Sequence, residues 1–475
     1  MDLTNLNSPP DETRWHLKEV PRWGGGVHDK NVNYSVGNHA SMATDTVRCS
    51  AYAGAIGRVA RGRRCLDVGT GPFLLLARLC ERAGASFVAC VEDSPSAVRL
   101  AIELLKREQL EAHPESRWEV DEDLDEECRQ HLSTIRRTCG ALLPLRTLQL
   151  RRPQPPSHPP APPSPLLPTV LASTRGVAEE TDATVLALYT GLSSRTALPG
   201  GIDLLVHEIL GHVASSEGVV RAVRELRGRP GLLAPGCSMI PQQAGTMLAP
   251  TAELTPAQLA ACAELQPPQP PRVDASSSAN ASSSASTERA VEGAVEAEVD
   301  ASARVRHGML HHVVGFPAEA MLAPAEAMEW YDFTAPSLEA GLPEEQRTTC
   351  TFTTLKAARF SGVHLHLKAT LDEHTCIDSR EQDTTWSCIY IRLLAAAEAV
   401  WLPQGSTIQC SCRIDVRGEC SHYALDVAAA PPGEADDKQR DSVAPAVAPA
   451  RRSMRERAEN STRIRVVVRG ERSQR

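Results

Sequence analysis

A chain of 475 residues is long enough for two or three domains, but only 42% of it is apolar, 4% is aromatic, and 35 prolines and 30 glycines dilute it. That composition argues for folded units separated by linker-like sequence rather than one continuous core. A formal charge of −9 gives no reason to expect a duplex nucleic-acid binder, which needs a cationic face to displace phosphate counterions.

No run approaches the roughly 20 apolar residues of a membrane-spanning helix, and the polar start from Met1 to Trp15 lacks the layout of a signal peptide. A soluble protein of the cytoplasm and/or nucleus is expected, with no membrane partner. The fourteen cysteines contain no C-x-x-C pair and are expected as reduced thiols. Cys410, Cys412, Cys420 and His422 are the best cluster for zinc, but C-x-C on an alternating strand puts both thiols on one face as a matter of sheet geometry, and no metal is expected.

After an N-terminal segment, residues 1–30, the stretch YSVGNHASMATDTVRCSAYAGAI places His39, Met42, Asp45, Arg48 and Tyr52 on one face of a single helix. Then RRCLDVGTGPFLLLARLCERAGASFVACVEDS reads as strand (Cys65 to Val68), glycine turn, helix (Phe73 to Arg82) and strand (Phe87 to Val91), which is a βαβ half of a doubly wound sheet. Gly69 and Gly71 let the backbone approach a ligand at the strand's carboxyl end. Glu92, ending the next strand, can accept from both hydroxyls of a ribose, so a nucleoside-containing cofactor follows. The dinucleotide pattern G-x-G-x-x-G is not met, because Leu74 stands in place of its last glycine.

Between Pro153 and Pro168 nine of sixteen residues are proline, the centre of an expected disordered surface insertion at about 144–182. Thr184 to Tyr189 is a further apolar strand, and Ser193 and Ser194 lie in the loop after it. The strand Ile202 to Val206 leads to Glu208. Glu217 follows just before a helix with Val219, Val220, Val223 and Leu226 on one side. Two carboxylates bracketing a loop at a strand's carboxyl end lie beside the ligand in a parallel sheet, and a guanidinium, planar, cationic and armed with forked N–H donors, suits such a pair. A low-complexity insertion is expected over 251–306. From Thr348 to Val427 short alternating segments such as VHLHLKATL and STIQCSCRID suggest a β barrel or sandwich. The remainder, 428–475, turns to Ala/Pro and then to a basic end, RIRVVVRGERSQR, expected as a disordered tail.

Several of these stretches together resemble the protein arginine N-methyltransferases, a branch of the class I S-adenosylmethionine (SAM) methyltransferases. LDVGTG resembles their first motif. Glu208 and Glu217, in E-x8-E followed by a helix and L-x-P-G-x-x-x-I-P, match their double-glutamate loop, and the spacing from His39 to Arg48 matches H-x-x-M-x-x-D-x-x-R. The resemblance implies an α/β fold, a Rossmann-like methyltransferase sheet over 31–250 followed by a C-terminal β barrel over 307–427, interrupted by the low-complexity insertions. It implies SAM as cofactor, held by Asp67, Gly69, Gly71 and Glu92, with Arg48 on its carboxylate, Met42 near the sulfonium, and Ser193 and Ser194 where the family contacts adenine. Glu208 and Glu217 would be catalytic, with Trp386 walling the arginine slot and Tyr34 belonging to the substrate-binding aromatic stretch. The implied partners are a protein with an exposed arginine, in a histone or Gly/Arg-rich segment, and a second copy of the chain in a homodimer.

The departures are specific. Phe73 stands where the family often has a third glycine, the Y-F-x-x-Y stretch is absent, and TTW at Thr384 to Trp386 replaces the threonine-histidine-tryptophan loop, so that Asp45 would face Thr385. Two alternatives therefore stay open: a methyltransferase for another amine or small molecule, and a catalytically silent binding module.

Overall fold

The computed structural model describes residues 36–112, 184–262, 309–394, 399–418, 421–432 and 462–468. Tyr34, the N-terminal segment 1–30 and the insertion at 144–182 lie outside the described residues. The four apolar runs expected as strands form β1 (Arg64–Val68), β2 (Phe87–Glu92), β3 (Val185–Thr190) and β4 (Ile202–His207), and β5 (Leu233–Ile240), which the sequence did not mark as a strand, completes a five-stranded parallel sheet in the order β3-β2-β1-β4-β5. β1 is the pivot: Cys65 sits opposite Val88 of β2 on one side and Leu204 of β4 on the other. The chain runs outward from β1 to β3 and then crosses back to β4. The carboxyl ends of β1 and β4 therefore part at a topological switch point, where open α/β sheets leave a crevice.

The helix expected from His39 to Tyr52 is instead two, α1 (Val36–Thr44) and α2 (Thr46–Val59). The reason is local: Asp45 adopts an extended backbone (ψ 95°) as N-cap of α2, and its carboxylate accepts from the Arg48 N–H at 2.9 Å. Between β1 and β2 lies α3 (Leu75–Arg82), and after β2 comes α4 (Pro95–Ala112). These two are tied by the buried bidentate pair Arg78–Glu108, with both contacts at 2.9 Å. The same guanidinium donates through Nε to the Phe73 carbonyl at 2.8 Å, so the helix pair also braces the glycine turn. α5 (Val219–Arg227) buries Val219, Val220, Val223 and Leu226, the stripe its spacing predicts.

The second unit consists of two antiparallel sheets. One has the order β7-β12-β10-β6-β8, from β6 (Gln243–Ala252), β7 (Met309–Val313), β8 (Glu326–Asp332), β10 (Ala358–Asp372) and β12 (Cys388–Arg392), with β11 (Thr375–Asp378) and β13 (Val400–Leu402) also paired to β10. The other has the order β16-β15-β14-β9, from β9 (Glu345–Thr353), β14 (Thr407–Asp415), β15 (His422–Ala430) and β16 (Thr462–Val468). Both share one core cluster with the parallel sheet, in which Leu66, Val206, Leu248, Val363 and Ile414 are all buried. Cys410 and Cys412 both face that core, and among the described residues no group of three or more His, Cys, Asp or Glu is arranged to hold a metal ion. No helix among the described residues is long and apolar enough to cross a membrane.

Three expected boundaries shift. The parallel-sheet unit ends before residue 250, because β6 pairs with β10 and β8 as an inner strand of an antiparallel sheet. The stretch expected as low-complexity from 251 begins with α6 (Pro256–Cys262), where Cys262 packs with Val313, Phe316 and Tyr390. The tail is not without structure throughout, since β15 extends to Ala430 and TRIRVVV, rich in β-branched residues, adds β16 to the edge of β15.

Candidate active site

The crevice at the ends of β1 and β4 encloses about 910 Å³. Gly69, Gly71 and Phe73 line it after β1, Glu92 after β2, Ser193 and Ser194 after β3, and Glu208 and Glu217 after β4, with Met42 and His39 of α1 on the remaining side. Segments separated by more than a hundred residues in the chain thus converge on one crevice, and Arg48 lines the same space.

Each contributor has a local reason for its position. Gly69 has φ 72°, and a Cβ there would lie 2.7 Å from Ile209 Cγ2, so glycine is required because the Glu208 loop closes against the turn. Gly71, φ 63°, donates its N–H to Glu92 Oε2 at 3.0 Å, while Ser94 N–H donates to Glu92 Oε1 at 2.9 Å. Burial raises the Glu92 pKa and these donors oppose the rise. The carboxylate keeps further lone pairs for hydroxyl donors in the crevice. His39, edge-on to Phe73, is pushed down to about 4 by burial and presents a neutral imidazole to the site.

Asp67 is not a lining residue. It is fully buried beneath the turn, where Oδ2 accepts from Thr70 Oγ1 at 2.6 Å and from the Ala77 N–H at 3.1 Å, so it holds the shape of the glycine turn. Burial raises its pKa to about 7, against those two donors. A carboxyl raised in the fold binds more protons native than unfolded between pH about 4 and 7. Its contribution to stability is therefore present below that window and lost as pH rises through it, on the order of 1.4 kcal/mol per pH unit. Asp67→Asn is expected to flatten that part of the stability profile in thermal unfolding at pH 5 and pH 8; an unchanged slope would show that Asp67 is not its source.

Arg48 and Glu208 form the central ion pair, Nη1 to Oε1 at 2.7 Å, and Arg48 Nε lies 3.7 Å from Asp45 Oδ2. Burial raises the Glu208 pKa while Arg48 opposes it. Arg48 itself is desolvated, but Glu208 and Asp45 more than compensate and raise its pKa, keeping it cationic. Its Nη2 is buried and meets no acceptor of the protein, a donor left over in the wall of the crevice. Glu217 stands at the other end of the loop, with its Cγ 3.3 Å from where a Cβ on Gly211 would be.

Trp386 does not wall the crevice. It is only 4% exposed, its Nε1 donates to the Leu210 carbonyl at 2.9 Å, and the Arg48 guanidinium covers its ring at 4.7 Å from the centroid. Trp386 acts at one remove, as a brace for Arg48 and the loop. Thr385 faces Asp45 as the substitution in TTW predicts, giving its N–H at 2.7 Å and its Oγ1 at 3.1 Å to Oδ2.

The loop from Glu208 to Glu217 is clamped almost entirely by the antiparallel unit. Ala214 N–H donates to Thr246 Oγ1 at 2.8 Å, and His212 Nδ1 meets the Ser387 carbonyl at 2.9 Å. Fully buried Glu329 accepts from Ser215 Oγ at 2.6 Å, Ser215 N–H at 3.2 Å, Thr246 Oγ1 at 2.6 Å and Tyr331 Oη at 3.0 Å. Sequence reasoning missed Glu329 and Thr246. The available signal was a carboxylate on the same face of β8 as Tyr331, an inward position that a charge occupies only when fully paired.

No family model matches the sequence, and no curated protein matches it. Solved structures do. The PRMT1 enzyme–prozyme heterotetrameric complex of Trypanosoma brucei with AdoHcy is similar at TM-score 0.50 and 14% identity, covering 85% of this chain and 95% of that one. Protein arginine methyltransferase 10 of Arabidopsis thaliana, in an open conformation, is similar at TM-score 0.50 and 14% identity, covering 84% and 94%. The fold is thus that of the protein arginine methyltransferases: a Rossmann-like domain followed by a β-barrel region.

Proposed function

We propose that the chain is a SAM-dependent methyltransferase that transfers a methyl group to a guanidino nitrogen of protein arginine. The observation that carries this reading is the placement of Glu208 and Glu217 on one clamped loop in the same crevice as the glycine turn and Glu92. The residues present fit SAM. Glu92 accepts from ribose hydroxyls, the Gly69–Gly71 turn admits close backbone approach, the leftover Arg48 Nη2 suits a carboxylate, and Ser193 and Ser194 offer hydroxyls to adenine. When bound, SAM supplies an electrophilic methyl on sulfur.

The chain's own residues do the rest by positioning and charge. Glu208 and Glu217 accept from the guanidinium N–H groups and fix one terminal nitrogen toward the methyl, and Met42 packs beside it. Asp45 is engaged by Thr385 and Arg48, so the position where the family carries a histidine supplies it with a hydroxyl and an N–H in place of an imidazole. Tyr34 belongs to this proposal as a substrate contact, as do assembly with a second copy, a cytoplasmic or nuclear location, and a histone or Gly/Arg-rich protein as substrate. The absence of that histidine favours a second reading, methyl transfer to another amine.

The test is incubation with labelled SAM and a panel of arginine, lysine and small-amine acceptors. Label on arginine is expected. Label on another amine alone would overturn the arginine assignment while keeping the methyltransferase, and absence of SAM binding by calorimetry would overturn both.

A further inference from the structure

The middle of the carboxylate loop meets the antiparallel unit through histidines that the proposed reaction does not use. His212 stands four residues after Glu208 and five before Glu217. Its Nδ1 lies 2.9 Å from the Ser387 carbonyl oxygen and 3.1 Å from Ser387 Oγ, and the same hydroxyl lies 3.1 Å from Nδ1 of His312 on β7. The two rings meet edge to face, with centroids 4.7 Å apart at 75°. Ser387 is buried and follows Trp386, so the TTW segment, β7 and the carboxylate loop are joined at one point.

Donor and acceptor chemistry places the hydrogens. A carbonyl oxygen only accepts, so His212 Nδ1 carries a hydrogen, and its second contact, to Ser387 Oγ, is a branch of the same N–H. The Ser387 hydroxyl hydrogen is then left for His312 Nδ1, which accepts it as the Nε2–H tautomer. Both rings must be neutral for this order to hold. A proton on His312 Nδ1 removes the last acceptor, and a charge on His212 would face His312 and, from α2, Arg48. Burial pushes the His212 pKa down to about 4, His312 and Arg48 add to the fall, and the Ser387 carbonyl opposes it.

The loop is also tied at Leu210, toward Glu208, by Trp386 Nε1, and at Ser215, toward Glu217, by Glu329. His212 lies between these anchors, so its bond decides how the two ends are spaced. We propose that His212, Ser387 and His312 form a one-way hydrogen-bond chain that fixes the carboxylate loop, which makes His212 and His312 positioning residues for methyl transfer. This rests on the methyltransferase reading above. No proton moves along the chain; it sets where Glu208 and Glu217 stand when the acceptor binds.

The experiment uses the full chain and two readouts. In the first, the protein is isotope-labelled in histidine and long-range proton–nitrogen correlations are recorded at neutral pH, with His212→Asn and His312→Asn assigning the signals. The expected result is neutral His212 with its hydrogen on Nδ1 and neutral His312 with its hydrogen on Nε2. His212 with its hydrogen on Nε2, or either ring as imidazolium, would overturn the inference. The second readout is kcat with arginine-peptide and small-amine acceptors, beside SAM affinity by calorimetry, at a temperature where every variant is folded. Asparagine carries its amide N–H where His212 carries Nδ1, whereas glutamine carries it at the place of Nε2. His212→Gln is therefore expected to lower kcat about tenfold to a hundredfold with SAM affinity unchanged, and His212→Asn to rescue most of that loss. Equal kcat in the two variants, or parallel loss of SAM binding, would overturn the inference and leave the methyltransferase standing. No transfer by the wild-type chain to either acceptor would overturn both.

Discussion

Glu217→Gln is expected to lower kcat for an arginine substrate by about 10²- to 10³-fold while leaving SAM affinity close to wild type. The amide keeps the shape of the side chain but withdraws a charge from where the guanidinium must be fixed, and loss of one preorganised electrostatic contact costs about 3–4 kcal/mol of transition-state stabilisation. SAM affinity should hold because the glycine turn and Glu92, which would carry nucleoside recognition, lie on β1 and β2. Glu208→Gln is expected to fall as far in turnover but not as cleanly. Its Oε1 accepts from Arg48 Nη1 at 2.7 Å, so the variant leaves a buried guanidinium underpaired and should also lower the melting temperature. Steady-state kinetics with calorimetric SAM titration separates the two. Full turnover in either variant would remove the carboxylate pair from the mechanism.

The second large effect belongs to a residue that touches no ligand. Glu329→Ala is expected to reduce turnover about 10²-fold and to cost several kcal/mol of stability, since it strands Ser215, Thr246 and Tyr331 donors in a buried site. These donors hold the middle of the Glu208–Glu217 loop, so their release displaces both carboxylates together. Glu329→Gln retains one acceptor oxygen and should recover part of the loss. The diagnostic comparison is SAM binding in Glu329→Ala at a temperature where the variant is folded. Retained binding with lost turnover marks a positioning role; parallel loss of both would mean that Glu329 only holds the fold together.

What could be read from sequence was set by how local the cause is. β1, β2 and β4 are apolar runs ending at a glycine turn or a carboxylate, and such strands with a topological switch between them leave little choice about where Glu92, Glu208 and Gly69 meet. The break between α1 and α2 was hidden because the helical face from His39 to Tyr52 is continuous in spacing, whereas the interruption depends on Asp45 turning its carboxylate to the Arg48 N–H. Trp386 looked like a slot wall because its neighbours in TTW suggested the active site. Its burial follows from a tertiary contact, the hydrogen bond to the Leu210 carbonyl, which no spacing reveals. Asp67 shares a motif with ligand-binding glycines, yet it alternates to the buried side of the turn. Glu329 is the clearest omission, and it acts through residues more than eighty positions away.

The central claim is that the clamped carboxylate pair recognises a guanidinium. Its most direct measurement is calorimetric binding of two peptides, identical except that one carries arginine and the other citrulline, to the chain saturated with S-adenosylhomocysteine. Citrulline keeps the planar shape but removes the charge and one terminal nitrogen donor. The account predicts binding of the arginine peptide alone, lost in Glu217→Gln. Equal affinity for the two peptides, or binding that survives in Glu217→Gln, would contradict it.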